Sequence, residues 1–155
     1  MHDKPVALVT GANKGIGLQI AKDLAGHGFT VLAVTQAMLP LLRDASAGRI
    51  VNVSSGAGSM ARLGDPSRPG RQPGNASYRL SKAALNAITL ALAIELEDTP
   101  IKVNAACPGF VATDLNLFNG TGSVEEGARE PVRLALLGPD GPTGTFSSAQ
   151  GQIPW

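Results

Sequence analysis

Three short runs constrain this chain more than any other feature. Residues 6–9 (Val-Ala-Leu-Val), 49–54 (Arg-Ile-Val-Asn-Val-Ser) and 101–106 (Ile-Lys-Val-Asn-Ala-Ala) are of strand length, apolar enough to be central, and too short for buried helices. Such runs are the mark of strands covered on both faces, as in a parallel sheet. Helical stretches separate them. Ile16, Ile20 and Leu24 share one helix face, residues 37–43 read as a helix, and residues 76–97 as a long one. Parallel strands need crossovers of this kind, so the expected fold is an α/β, Rossmann-like doubly wound sheet of about four or five strands, three-layered or partly open.

The remaining punctuation fills in this plan. Gly26-His27-Gly28 is read as ending the first helix, and residues 29–34 as a second strand. Pro40 is tolerable only near a first turn or at a kink. Residues 56–75 are rich in Gly, Pro, Ser and Arg and predict a long loop. Ser123-Val124-Glu125-Glu126 is a capping box that opens a helix to about Leu137, and residues 144–148 are a plausible last strand. No internal repeat is visible, and 155 residues suffice for one domain with a real core, so residues 1–155 are expected as a single unit.

Composition narrows the function classes. A formal charge of +1 provides no field for nucleic acid or an anionic membrane, and no apolar run approaches a membrane span. Aromatic residues are only 4%, so Ala, Leu, Ile and Val must fill the core. Cys107 stands alone, which excludes an internal disulfide and a Cys-based metal site. The first residues carry no signal-peptide pattern, and the expectation is a cytoplasmic protein. His2 and His27 are isolated and are read as surface residues.

Gly11, Gly15 and Gly17 lie between the first strand and its helix. In that setting glycines permit a tight turn and let a pyrophosphate reach the backbone, while the helix N-terminus offers free N–H groups. An ordinary tight turn is the competing reading, but three glycines there would be costly without a ligand. Lys14 can reach a phosphate, and Thr35-Gln36 carries no carboxylate for an NAD ribose. These residues favour NADP(H), with NAD(H) as the other candidate.

Tyr78 and Lys82 are four apart on one helix and so share a face. A phenol that must give a proton to a carbonyl oxygen near neutral pH is helped by an ammonium charge. At about 5 Å and an effective dielectric of about 20, that charge is worth on the order of 3 kcal/mol. Ser54-Ser55 ends a buried strand, where a hydroxyl can point into the crevice above the sheet or merely cap the strand.

Taken in order, these residues resemble the short-chain dehydrogenase/reductase family. Thr10-Gly11-Ala12-Asn13-Lys14-Gly15-Ile16-Gly17 matches its cofactor turn, and Ile50-Val51-Asn52-Val53-Ser54-Ser55 its serine strand. Tyr78 and Lys82 match its Tyr-x-x-x-Lys pair, and Pro108-Gly109 its cofactor-contacting turn. Gly11-Ala12-Asn13-Lys14-Gly15, Val103-Asn104-Ala105-Ala106-Cys107-Pro108-Gly109 and Glu125-Glu126-Gly127-Ala128 look most like the carbonyl reductase branch. The resemblance implies NADPH-dependent reduction of a small-molecule aldehyde or ketone, or oxidation of the matching alcohol. Ser55, Tyr78 and Lys82 would be catalytic. Gly11, Asn13, Lys14, Gly15, Ile16, Gly17, Pro108, Gly109, Val111 and Thr113 would hold the cofactor, with Thr113 meeting the nicotinamide carboxamide. No metal is implied.

The chain departs from that pattern in its middle. Residues 29–32 look like the family's second strand, whereas residues 34–40 look like the end of a much later helix, as though joined near Ala33. The strand–helix units that carry the cofactor selector, the adenine contact and a catalytic asparagine are missing. Either the strand at 29–34 fills the vacated place beside the serine strand, or the sheet stays open there. The second functional reading is therefore an inactive remnant that binds nucleotide or serves a structural role. Apolar residues cover nearly the whole circumference of residues 76–97, so that helix is expected to be buried on both sides, by residues 56–75 or by another copy of the chain.

Overall fold

The computed structural model describes residues 7–10, 27–68 and 74–155. The turn holding Gly11, Asn13, Lys14, Gly15, Ile16 and Gly17, the helix expected after it, and residues 69–73 lie outside the described residues. One sheet of five strands organises the rest: β1 (Ala7–Thr10), β2 (Arg49–Val53), β3 (Lys102–Cys107), β4 (Thr145–Ser148) and β5 (Gly151–Gln152). They neighbour one another in chain order; the first four are parallel, and β5 turns back antiparallel to β4. The short apolar runs thus form the parallel sheet their composition predicts.

Two expectations fail together. Residues 29–34 are not a strand, for α1 runs unbroken over His27–Asp44 and absorbs them. Nor is the sheet open beside the serine strand, because β1 pairs directly with β2, Ala7 opposite Arg49 and Thr10 opposite Asn52. The two facts have one cause. With β1 and β2 sharing their backbone hydrogen bonds, no slot remains for a strand between them. The β-branched run then follows the helix that buries more apolar surface, since strand propensity is a weak preference that packing overrides. Thr35, Leu39 and Leu42 recur at helical spacing and are buried. Pro40 lies inside α1 with its side chain exposed, so the carbonyl it leaves unpaired is open to hydration.

The layers follow from strand alternation. Ile50 on β2 and Val103 on β3 join Leu39 and Leu42 of α1, and Leu92, Ala93 and Leu96 at the end of α3 (Ala76–Glu95), in one core cluster. Val51 and Ala106 point to the opposite face and meet Leu134 of α4 (Val124–Ala135). Leu42, Leu92 and Leu134 are almost wholly shielded, each worth about 1.5–3 kcal/mol over an exposed leucine. The capping box forms as read, Ser123 Oγ accepting from Glu126 N at 3.2 Å and Glu126 Oε2 accepting from Ser123 N at 2.9 Å. The loop after β2 is more ordered than its composition suggests. It holds a 3₁₀ turn (Gly56–Gly58) and a short helix α2 (Met60–Gly64), onto which the chain's last residues dock. Ser59 Oγ donates to Pro154 O at 2.6 Å, and Ala61 N to Trp155 O at 2.8 Å. The Trp155 ring stacks on Phe146 with centroids 5.5 Å apart.

The face buried in α3 is narrower than expected. Leu85, Asn86, Thr89, Leu92 and Ala93 are buried, but Leu80 and Ile94 remain 67% and 60% exposed, and Ala84, Ala87 and Ala91 are exposed between them. The turn at residues 56–58 lies against the middle of α3, at Lys82 and Asn86, and does not cover this stripe.

Two buried charged residues tie the helices to the sheet. The Arg49 guanidinium donates to Leu137 O at 2.8 and 2.6 Å and to Gly48 O at 2.7 Å, fastening the chain just beyond α4 to the start of β2. Glu130, buried on α4, takes two hydrogen bonds from Arg133 at 2.9 and 2.7 Å and a short one from the Ser147 hydroxyl on β4. The Arg133 guanidinium, with help from Ser147, holds the Glu130 carboxyl below the usual glutamate range against the opposing push of burial. Because the folded-state value lies below the unfolded one, this contribution is complete above the unfolded glutamate pKa and is lost as pH falls through the folded value. Glu130→Gln is expected to cost about 1.5–3 kcal/mol at neutral pH. Its deficit against the unaltered chain should shrink below about pH 4, where the carboxyl of the latter protonates too. Thermal unfolding followed by circular dichroism from neutral to acid pH checks this; a deficit constant over that range would refute it.

Candidate active site

All four parallel strands point their carboxyl ends to one edge. Thr10 is in register with Asn52, Val53 with Ala106, and Cys107 with Ser148. The segments after β2, β3 and β4 therefore converge there, in the crevice where open α/β sheets place their ligands. The chain after Thr10 leaves from the same edge.

Strand alternation separates the two serines. Positions 50, 52 and 54 face α3: Asn52 Nδ2 donates to Thr89 Oγ1 at 2.9 Å, and the buried Ser54 Oγ donates to Asn86 Oδ1 at 2.6 Å. Ser54 is thus engaged in packing. Ser55 follows in extended conformation, half-buried, and caps the 3₁₀ turn with its Oγ accepting from Ala57 N at 3.2 Å. Its hydroxyl proton remains available to an acceptor in the crevice.

The turn beyond Ser55 lies hard against α3. A Cβ on Gly58 would stand 2.6 Å from the Lys82 carbonyl carbon and 2.8 Å from Lys82 Cβ, so no larger residue fits. Lys82 reaches back to the strand and donates from Nζ to Val53 O at 2.9 Å. The same ammonium lies 5.9 Å from the centroid of the Tyr78 ring, within cation–π range. Burial pushes the Lys82 pKa below its ordinary value, and the nearby Cys107 thiol pulls the other way. Cys107 Sγ accepts from Gly56 N at 3.2 Å and ties the end of β3 to the serine turn. Lys82 thereby joins Tyr78 on its own helix to Val53 and Gly58, on either side of Ser55.

Cys107 leads directly into the Pro108-Gly109 turn, where Gly109 adopts a φ of 86°, a left-handed value that favours glycine. Val111 bridges to Gly122, and Thr113 N donates to Asn116 Oδ1 at 3.2 Å as the next 3₁₀ turn opens. Pro108, Gly109 and Phe110 line a cavity of about 230 Å³ with Glu126, Arg129 and Gln150. Three parts of this arrangement were not foreseen: the Gly58 contact, the Cys107 bond and the buried Asn86. The signal for Asn86 was its place four residues after Lys82 and eight after Tyr78, on the same face of the helix.

Among known proteins, the family model for short chain dehydrogenase matches residues 29–121, a stretch that takes in the serine turn, the Tyr-Lys helix and the Pro-Gly turn. The chain belongs to the short-chain dehydrogenases. Among relatives, (-)-isopiperitenone reductase of Mentha piperita is 36% identical over 146 residues, covering 73% of this chain and 46% of that protein. Among solved structures, the carbonyl reductase Sniffer of D. melanogaster superposes with a TM-score of 0.76 at 25% identity, covering 96% of this chain and 66% of that one. NADPH-bound carbonyl reductase from chicken fatty liver gives 0.68 at 27% identity, covering 98% and 61%. The chain spans about half the length of the curated relatives it matches.

The Gly58 contact makes a direct prediction for this family member. Gly58→Ala should lift the serine turn off α3 and destabilise the fold by about 1–3 kcal/mol. Gly64, where an added Cβ would point into open space, is the control, and Gly64→Ala should be nearly neutral. Urea unfolding of both variants checks this; equal effects would show that the close approach carries no cost.

Proposed function

We propose that this chain is an NADPH-dependent short-chain reductase acting on an aldehyde or ketone. The observation that carries the reading is the packing of the serine turn on Lys82, with that ammonium beside the Tyr78 ring. Ser55 donates its free hydroxyl proton to the substrate carbonyl oxygen and orients it. Tyr78 gives that oxygen its proton as the alcohol forms. Lys82 favours the charged phenolate that remains. When bound, the reduced nicotinamide supplies the hydride.

The donor set suits such a cofactor. An ammonium has three protons, and Val53 O takes one, so Lys82 can offer the others to a ribose hydroxyl. Pro108, Gly109, Val111 and Thr113, in the segment that follows β3, are assigned to the same cofactor. Gly11, Asn13, Lys14, Gly15, Ile16 and Gly17 are assigned to the phosphates on their sequence pattern alone. NADP(H) is preferred over NAD(H) because NADPH-bound carbonyl reductase is among the structures this chain resembles; Thr35 and Gln36 lie inside α1 rather than after a strand, so they do not bear on the ribose.

A second reading rests on the direct pairing of β1 with β2 and on the chain's length relative to its relatives. The central units are gone, and what remains would be an inactive module of the same family that binds nucleotide or serves a structural role. Calorimetric titration with NADPH and loss of NADPH absorbance with a simple aldehyde separate the readings: binding with turnover supports the first, and neither supports a structural remnant. In the active case Tyr78→Phe should cut turnover about 100-fold or more while NADPH still binds. Lys82→Ala should weaken both binding and rate. Turnover retained by Tyr78→Phe would remove the phenol from the mechanism.

The uncovered stripe of α3, Leu80, Ala84, Ala87, Ala91 and Ile94, is assigned to association with a second copy of the chain. Light scattering should show an oligomer that Ile94→Lys dissociates. A monomer at the same concentration without the substitution would refute the assignment.

A further inference from the structure

We infer that Asn86 is a positioning residue for the serine turn, its single carboxamide tying the residues on both sides of Ser55 to the helix that carries Tyr78 and Lys82. Its Oδ1 accepts the Ser54 hydroxyl at 2.6 Å, one residue before Ser55, and its Nδ2 donates to Gly58 O at 3.1 Å, three residues after. The side chain is 4% exposed. Only one orientation of the amide serves both partners, because the Gly58 carbonyl can accept but not donate. A side chain of similar volume without polar atoms could fill the space between β2 and α3. It could not direct either end of the turn, and it would leave the Ser54 hydroxyl only the long contact to Lys82 O at 3.5 Å and take the Asn86 donor from the Gly58 carbonyl.

The consequence falls on the hydroxyl proposed for catalysis. Ser55 Oγ accepts the Ala57 N–H at 3.2 Å, and Gly58 N donates to Ser55 O at 2.8 Å, so the direction of the Ser55 proton depends on the shape of the turn. Asn86 holds that shape through Ser54 and Gly58, on either side of Ser55. It stands two helical turns from Tyr78 and one from Lys82 on the same face, so turn and helix keep one relative placement. The reference to catalysis rests on the proposed reductase reading, whereas the clamp itself is a statement about the turn.

The test compares Asn86→Leu and Ser54→Ala with the unaltered chain by amide hydrogen exchange and, where turnover is present, by steady-state kinetics. In Asn86→Leu the Ala57 and Gly58 amides should exchange about tenfold faster or more, while the β3 amides keep their protection. Ser54→Ala, which removes one of the two bonds and is the milder change, should give a smaller acceleration at the same amides. In the kinetics kcat should fall with KM for NADPH unchanged, since Asn86 orients the serine rather than the cofactor. Unchanged exchange at Ala57 and Gly58 in both variants, or protection lost equally across β3, would overturn the inference. A chain without detectable turnover would count against the reductase reading alone, and the exchange comparison would still decide the clamp.

Discussion

The backbone of Gly58 approaches Lys82 so closely that no side chain can stand between them, and the arrangement of the carboxyl edge follows from that contact. It brings the segment after β2 onto the middle of α3 at the turn that bears the ammonium. From there a polar seam runs along the strand: Asn52 to Thr89, Val53 O to Lys82, and Ser54 to Asn86. An apolar interface could have slid by a turn at little cost, since hydrophobic burial is non-directional. Hydrogen bonds in a buried seam have one satisfied register, and leaving them unmade is expensive.

The same seam bears on how the sheet stays continuous from β1 to β2. β2 is held on one side by β3 and from one face by α3, both through contacts within residues 49–107. Its other edge can accept any parallel strand, and β1 takes that place. The helix α1 then covers the face next to α3, supplying Leu39 and Leu42 to the core that Ile50, Leu92 and Val103 share. The proposed catalytic groups Ser55, Tyr78 and Lys82 all belong to that stretch, residues 49–107.

Much of the candidate site was legible in residue order. Tyr78 and Lys82 are neighbours by helix geometry alone, and Pro108-Gly109 follows a strand that could only be central. The roles of Asn86, Cys107 and Gly58 were not legible. Helix spacing put Asn86 on the face of Tyr78 and Lys82 without naming its partners, a lone cysteine and one glycine in a Gly-rich loop carry no pattern of their own, and each acts across a long sequence separation. Arg49 reads as the polar start of a strand, yet it is buried against the Leu137 carbonyl just beyond α4, 88 residues away. Glu130 reads as one more charge on an exposed helix, but α4 turns it toward Ser147.

What the sequence determined by itself is what local geometry can specify. Apolar runs of strand length became the parallel strands, the Ser123–Glu126 capping box opened α4, and the spacing of Tyr78 and Lys82 put them on one face. These outcomes depend on neighbours within four residues. Tertiary structure decided the rest. It made residues 29–34 helical, chose β1 as the partner of β2, and sent Ser54 into the packing while leaving Ser55 at the crevice. The reason is one of magnitude: intrinsic preferences differ by less than about 1 kcal/mol per residue, whereas burying one leucine or satisfying one buried polar pair is worth as much or more.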